Sequence, residues 1–320
     1  MSDARHDARA EGALPIGVVG GGAFGRGIAK AAARTGHDVY LWSRGARDLG
    51  DPRIRVTSRF ADVAEAELIF LAVPSNAIAT LGRELGGHLD GSHLLVHVSR
   101  GLVGPELTPI SRLLRDSTPS RRVGALAGPL VAEALIEGTP SGVIVGTNFP
   151  EVGDAVREAI AGPQLRLYVT SDIVGVEVAS AMVGLLALAA GHAQASGVGP
   201  AALATFLTRG IAEATRVAAS LGAEADTFVG LAGVGDLLAV MAGDERPEER
   251  LGRALAEGAT LERAVEIVGA NIEGVSLARR VADFGARERI AVPICTAIAD
   301  VIDGMPAQEA LRALMTRGSA

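Results

Sequence analysis

PIGVVGGGAFGRGIAKAAARTGHDVYLWSR, residues 15–44, decides the fold of this chain. The apolar run 16–19 reads as a short buried strand. Gly20, Gly22 and Gly25 follow it in G-x-G-x-x-G spacing. A small-residue helix is expected over 24–35, stopped by Gly36, and a second strand over 38–42. Strand, glycine turn, helix and second strand in that order make a β-α-β unit. In such a unit Gly20 forms the turn, Gly22 lets a pyrophosphate approach the backbone, and Gly25 lets the helix pack on the strand. The phosphate then rests on the free N–H groups at the helix N-terminus, beside Ala23 and Phe24. The segment therefore predicts a nicotinamide dinucleotide site.

The end of the second strand bears on which dinucleotide. A carboxylate there would hold the ribose 2′-OH of NAD. The strand instead ends Trp42-Ser43-Arg44. Ser43 can donate to a 2′-phosphate, and Arg44 can pair with it and stack on adenine. NADP is the expected cofactor, with NAD as the alternative. Trp42 reads as packing on the adenine side.

Further along, strands are expected over 67–73, 93–98, 122–126, 143–145 and 165–169. Helices are expected over 76–85, 105–115 and 150–161, with a short one ending at residue 137. This alternation implies a doubly wound parallel sheet over 14–171, with ligands beyond the carboxyl ends of the strands. Val73, Pro74, Ser75, Arg100 and Gly128 fall at such ends. From 172 to 320 only helical segments are expected: 172–195, 200–221, 225–241, 247–257, 261–268, 273–284, 293–302 and 307–316. Residues 1–13 read as a disordered tail.

Composition narrows the function. A length of 320 residues suits two domains, and 48% hydrophobic residues with only 3% aromatic require cores of Ala, Val, Leu and Ile. A net charge of -7 argues against nucleic acid. The single cysteine, Cys295, leaves no intrachain disulfide and fits a cytoplasmic protein. It reads as a small buried apolar residue. Residues 178–208 carry no formal charge, but Gly191, Ser196 and the GVGP turn at 197–200 interrupt them. A buried core helix is expected there, not a membrane span. Lys30 is the only lysine in the chain, so no lysine is evident for catalysis.

Several motifs in order resemble NAD(P)-dependent glycerol-3-phosphate dehydrogenase. They are the glycine turn, LWSR at 41–44, VPS at 73–75, SRGL at 99–102, AGP at 127–129 and DIVGVE at 172–177. TRGIAE at 208–213, LAGVGDL at 231–237, IEG at 272–274 and PICTA at 293–297 complete the set. The resemblance spans about residues 14–315. It implies a Rossmann domain followed by an all-α, 6-phosphogluconate-dehydrogenase-like domain, a small-molecule substrate and a homodimer. It also implies Ala132 and Glu273 as cofactor contacts and no metal.

At the substrate positions the resemblance breaks. The family's lysine in its S/T-K-G loop corresponds to Arg100. The lysine and asparagine of its A-x-K-N pattern correspond to Val183 and Gly184. A hydroxyl position becomes Leu130. The S/G-R-N signature that grips the substrate phosphate and the cofactor aligns with Arg246-Pro247-Glu248, with Arg250 within a slip of a few residues. Asp236 is kept. Ketone reduction needs a proton donor and positive charge at the carbonyl oxygen. Valine supplies neither, and arginine is a poor acid near neutral pH. Arg100 and Asp236 are the catalytic candidates, with Arg100, Gly128 and Asp236 against the substrate. His97 reads as a sheet residue, and His192 as lying on the far face of the helix from Val183. Three readings follow: the family reaction with a degenerate substrate site, reduction of a different small carbonyl or imine, or a non-catalytic NADP-binding paralogue.

Overall fold

The computed structural model describes residues 15–45, 48–243, 246–270 and 272–316, so the tail expected over 1–13 lies outside the described residues. Apolar tetrapeptides build the sheet. β1 (Ile16–Val19) leads through α1 (Ala23–Arg34) to β2 (Val39–Trp42), then β3 (Ile54–Thr57) and α2 (Phe60–Val63). β4 (Leu68–Leu71), α3 (Ser75–Gly86), β5 (Leu94–His97), α4 (Ile110–Ser117) and β6 (Val123–Ala127) follow. α5 (Ala132–Glu137), β7 (Ser141–Thr147), α6 (Pro150–Ile160) and β8 (Leu165–Thr170) complete the layer. One eight-stranded sheet results, in the order β3-β2-β1-β4-β5-β6-β7-β8. Every residue of β1, β4, β5 and β6 is buried, as a sheet covered by helices on both faces requires.

The sheet differs from the sequence reading in three places. β3 and α2 were not expected; β3 is a four-residue edge strand whose Arg55 faces solvent. β7 runs antiparallel to β6, while the other pairs are parallel. The helix expected from residue 105 starts at Ile110, with Pro109 as its N-cap. A bridge between Val103 and Thr108 closes residues 103–108 into a turn instead.

After β8 the chain is helical: α7 (Ile173–Ala195), α8 (Pro200–Ser220), α9 (Ala225–Val229), α10 (Asp236–Met241), α11 (Pro247–Ala256), α12 (Leu261–Val268), α13 (Glu273–Glu288), α14 (Pro293–Ile302) and α15 (Ala307–Thr316). α7 is the spine. Asp172 caps it, accepting from the Gly175 N–H at 2.8 Å and from the Glu224 N–H at 2.8 Å. It is long and apolar enough to cross a membrane, yet its most apolar 18-residue window is 94% buried within the protein. One core runs from the sheet through α7 into α8, α13 and α14. Cys295 is buried in that core, and burial pushes its thiol well above the ordinary range, which leaves it unreactive.

The single helix expected over 225–241 is broken. Between α9 and α10, Leu231–Gly235 forms one turn of π-helix, with the Gly235 N–H donating to the Gly230 carbonyl at 3.0 Å. A Cβ at Gly233 would overlap the Phe228 carbonyl, so this turn admits only glycine there. Asp236 follows this turn directly, and its side chain is fully buried.

Candidate active site

The carboxyl ends of β1, β4 and β5 lie in register, Val19 beside Leu71 and Leu71 beside His97. Their following loops therefore share one edge of the sheet. At the first of them Gly20 has φ +122°, a conformation L side chains rarely adopt, and a Cβ at Gly25 would overlap the Gly20 carbonyl. Gly22 caps α1 without a side-chain bond, and a Cβ there would meet nothing within 4 Å. The open side of the turn thus presents unshielded N–H groups, and these residues fit a dinucleotide pyrophosphate. Ala23 and Phe24 open α1. Ala132 opens α5, which packs on α1 beneath the turn, with its carbonyl beside Gly27. Trp42 stacks on Phe60 at 4.6 Å and 12°, and its indole N–H donates to the Ser58 carbonyl at 3.1 Å. Ser43 and the exposed Arg44 follow it.

The second loop is bound to the helical half. Val73 and Pro74 lead into α3. The Glu273 carboxylate, at the start of α13, accepts from the Ser75 N–H at 2.8 Å and from the Ser75 hydroxyl. Glu273 also lies against Gly101, immediately after Arg100. Ser99 ties the third loop to the second by donating to the Val73 carbonyl at 2.7 Å.

Arg100 reaches across the cleft to the π-turn. Its guanidinium lies 3.0 Å from one Asp236 oxygen, and Arg246 lies 2.6 Å from the other. Arg246 is as buried as its partner, whereas the Arg100 side chain keeps 22% exposure toward the cleft. The sequence reading left Arg246 out of the site; the structure brings it in. It is the N-cap of α11, and Pro247 at the first helical position fixes the direction in which the chain enters. The alignment of Arg246 with the S/G-R-N signature was the available signal.

Val183 is fully buried on α7. Its neighbour Gly184 faces Glu248, whose Oε1 would lie 3.6 Å from a Cβ there, and Gly274 packs on the same turn. Val183 thus lies within the apolar core of α7, while its neighbour Gly184 meets the acidic Glu248. Gly128, in the turn after β6, is directed toward the Gly142 carbonyl of β7, 3.4 Å from where its Cβ would stand. His97 is buried, and its Nε2 lies 3.0 Å from the Glu177 carboxylate. His192 borders a separate apolar cavity with Phe206, Ile298 and Leu314, and burial lowers its pKa.

Several family-like motifs turn out to serve helix ends. The N-caps of α3, α4 and α14 are Pro74, Pro109 and Val292, none of which can cap. Glu273, Glu177 and Glu213 take that role from distant helices. Glu177 accepts from the Ser111 N–H at 2.7 Å, and Glu213 from the Ile294 and Cys295 N–H groups at 2.8 and 3.0 Å. A carboxylate at a helix N-terminus answers both the unpaired donors and the helix dipole.

Comparison with known proteins agrees with this architecture. The model described as NAD-dependent glycerol-3-phosphate dehydrogenase N-terminus matches residues 51–152, and the C-terminus model matches 172–312. The glycine turn precedes both matches, so its assignment stands on its own geometry. A glycerol-3-phosphate dehydrogenase [NAD(P)+] of Teredinibacter turnerae is 31% identical, covering 96% of each chain. That of Hyphomonas neptunium is 33% identical over 94% of this chain and 95% of its own. The crystal structure of glycerol-3-phosphate dehydrogenase from Coxiella burnetii superposes with a TM-score of 0.88 at 24% identity, covering 95% of this chain and 99% of that one. A ketopantoate reductase from Ralstonia eutropha shares the fold at a TM-score of 0.59.

Proposed function

We propose that this chain, which belongs to the NAD-dependent glycerol-3-phosphate dehydrogenase family, is a nicotinamide-dependent oxidoreductase that prefers NADP and whose substrate half is rewritten for a small carbonyl or imine of low charge. The observation that carries this reading is the Arg100–Asp236–Arg246 cluster, taken with the residue at the family's lysine position. A fully buried valine stands where the resemblance implies a lysine, and Asp236 is shared by two guanidiniums. The charges of Arg100 and Arg246 are matched by Asp236 and Glu248. A phosphate dianion meets no net positive field in such a set, whereas an uncharged or singly charged ligand loses little.

The nicotinamide, when bound, supplies the hydride. The protein's own part is to position and polarise. Arg100, the partly exposed cation of the site, can hold a carbonyl oxygen as negative charge develops on it. It is a poor proton donor near neutral pH, and losing a positioned acid typically costs about 10²–10⁴ in rate. The missing donor also favours the second reading, a cofactor-binding paralogue with no turnover. His97 offers no relief, since it is buried against Glu177. A cytoplasmic homodimer belongs to the same proposal, on the strength of the family resemblance and the single cysteine.

The test is NADPH oxidation with dihydroxyacetone phosphate, beside a Val183→Lys, Gly184→Asn variant checked for folding by circular dichroism. The wild type should turn over well below about 1 s⁻¹, the foot of the ordinary enzyme range. The variant should gain rate. A wild-type turnover number within that range would overturn the rewritten-site reading. Arg100→Ala should abolish residual activity and leave NADPH affinity only modestly weaker.

A further inference from the structure

We propose that Arg26 selects the cofactor, its guanidinium binding the 2′-phosphate of NADP together with Ser43 and Arg44. The proposal rests on the reading that the glycine turn holds a nicotinamide dinucleotide, and it adds a residue that neither the motif spacing nor the strand-end rule assigns.

Arg26 lies in the first turn of α1, which contains no acidic residue. Its side chain is exposed but does not extend into solvent. It folds back along the helix, and one guanidinium nitrogen donates to the Gly21 carbonyl at 3.0 Å. Side chains in a helix lean toward its N-terminus, so this posture is the natural one for an arginine at that position. Gly21 also lies against Ser43: a Cβ added to Gly21 would overlap the Ser43 hydroxyl. The Arg26 guanidinium and the Ser43 hydroxyl therefore approach the same residue. Ser43 ends β2, where a dinucleotide's ribose is read, and the exposed Arg44 comes next.

The nearby carboxylates are engaged elsewhere. Asp48 accepts from the Gly50 N–H at 2.9 Å. Asp62 accepts from the Thr57 hydroxyl at 2.5 Å and pairs with Arg59 at 3.6 Å. The Arg26 guanidinium and the Ser43 hydroxyl thus both border Gly21, at the end of β2 where a ribose 2′ substituent would lie, and Arg44 is the next residue along the chain. An arginine is suited to that task because its planar fork can grip phosphate through two parallel bonds. The Gly21 carbonyl holds the fork in place beforehand, which reduces the side-chain entropy lost on binding.

Calorimetric titration of the full chain with NADPH, NADH and adenosine 2′,5′-bisphosphate tests the proposal without relying on activity. Arg26→Met should weaken NADPH and the bisphosphate by roughly tenfold or more, the effect of losing one charge-assisted hydrogen bond. NADH should change by less than about twofold, since it lacks the phosphate. Arg26→Lys should keep part of the affinity. Arg26 is exposed, and unchanged thermal unfolding of the variants would confirm intact folding. Unchanged NADPH affinity in Arg26→Met would overturn the proposal. So would equal weakening of NADPH and NADH, because the guanidinium would then serve the pyrophosphate or the turn. Failure of the wild type to bind either nucleotide would instead defeat the dinucleotide reading itself, and the proposal with it.

Discussion

The turn after β1 and the cluster around Asp236 face the same cleft but are made of different materials. The turn works with backbone: glycines at 20, 22 and 25, and the bare N-terminus of α1. The cluster works with side chains: Arg100 and Arg246 on the two oxygens of Asp236. Backbone geometry survives any substitution that keeps the glycines. A charged cluster changes its chemistry with each residue exchanged. Under the function proposed above, the difference accounts for a cofactor half that stays recognisable beside an altered substrate half. It also implies that the halves can be perturbed separately.

The largest effect is expected from Arg246→Met. This substitution leaves Asp236 buried with only one of its two cations, and breaking a buried pair costs about 3–5 kcal/mol. Asp236 keeps Arg100, so the lower end applies, and the melting temperature should fall by roughly 6 °C or more. NADPH affinity should change by less than about twofold, because neither residue touches the turn. A large loss of NADPH affinity at unchanged stability would break the separation between the halves.

A smaller and complementary effect is expected from Arg44→Asp. The new carboxylate would accept from a ribose 2′-OH and repel a 2′-phosphate, so NADH should come to bind more tightly than NADPH. Each direction of change should amount to roughly tenfold, as expected for making or breaking one charge-assisted hydrogen bond. The melting temperature should not move, since Arg44 is exposed. Equal affinities for the two nucleotides, unaffected by the substitution, would remove the basis for NADP preference.

The two halves also differed in how legible they were. The unit 16–42 could be read because its glycines, its helix stop and its apolar runs are all local signals. β3 escaped notice because four residues with Arg55 facing solvent resemble a loop. The start of α4 was misplaced because Pro105 and Pro109 are equally plausible helix starters, and only the Val103–Thr108 bridge distinguishes them. The direction of β7 is a matter of pairing, which the pattern of apolar residues does not encode. In the substrate half, Val183 and Asp236 were found by position along motifs. Arg246 was reached the same way, through the S/G-R-N alignment, but its ion pair with Asp236 was not, because tertiary packing creates that pair and no local pattern encodes it. The glycines that permit the π-turn fit a loop as well as a helix until the Phe228 carbonyl is seen beside Gly233.

Glu213 gives the finest test of backbone against side-chain support, and the smallest expected effect. Like Asp236 it is a buried carboxylate, but its hydrogen-bond partners are the backbone N–H groups of Ile294 and Cys295. Burial raises its pKa above the ordinary 4.5, and the two N–H bonds only partly oppose that shift. The folded chain therefore holds this proton more tightly than the unfolded chain does. Above the raised pKa the ionised group detracts from stability. As the pH falls through that pKa toward 4.5, protonation relieves the penalty, and Glu213 contributes progressively more to the folded state. Glu213→Gln has no such titration. The stability difference, wild type minus variant, should grow on acidification from pH 7 toward about 4.5 in denaturant unfolding, then level off. A difference that shrinks over that interval would mean that the helix end holds the carboxylate in its charged form. Two backbone donors, with the Cys295 thiol and the Arg216 charge, would then support a buried anion well enough without a paired guanidinium, and the contrast drawn with Asp236 would fail.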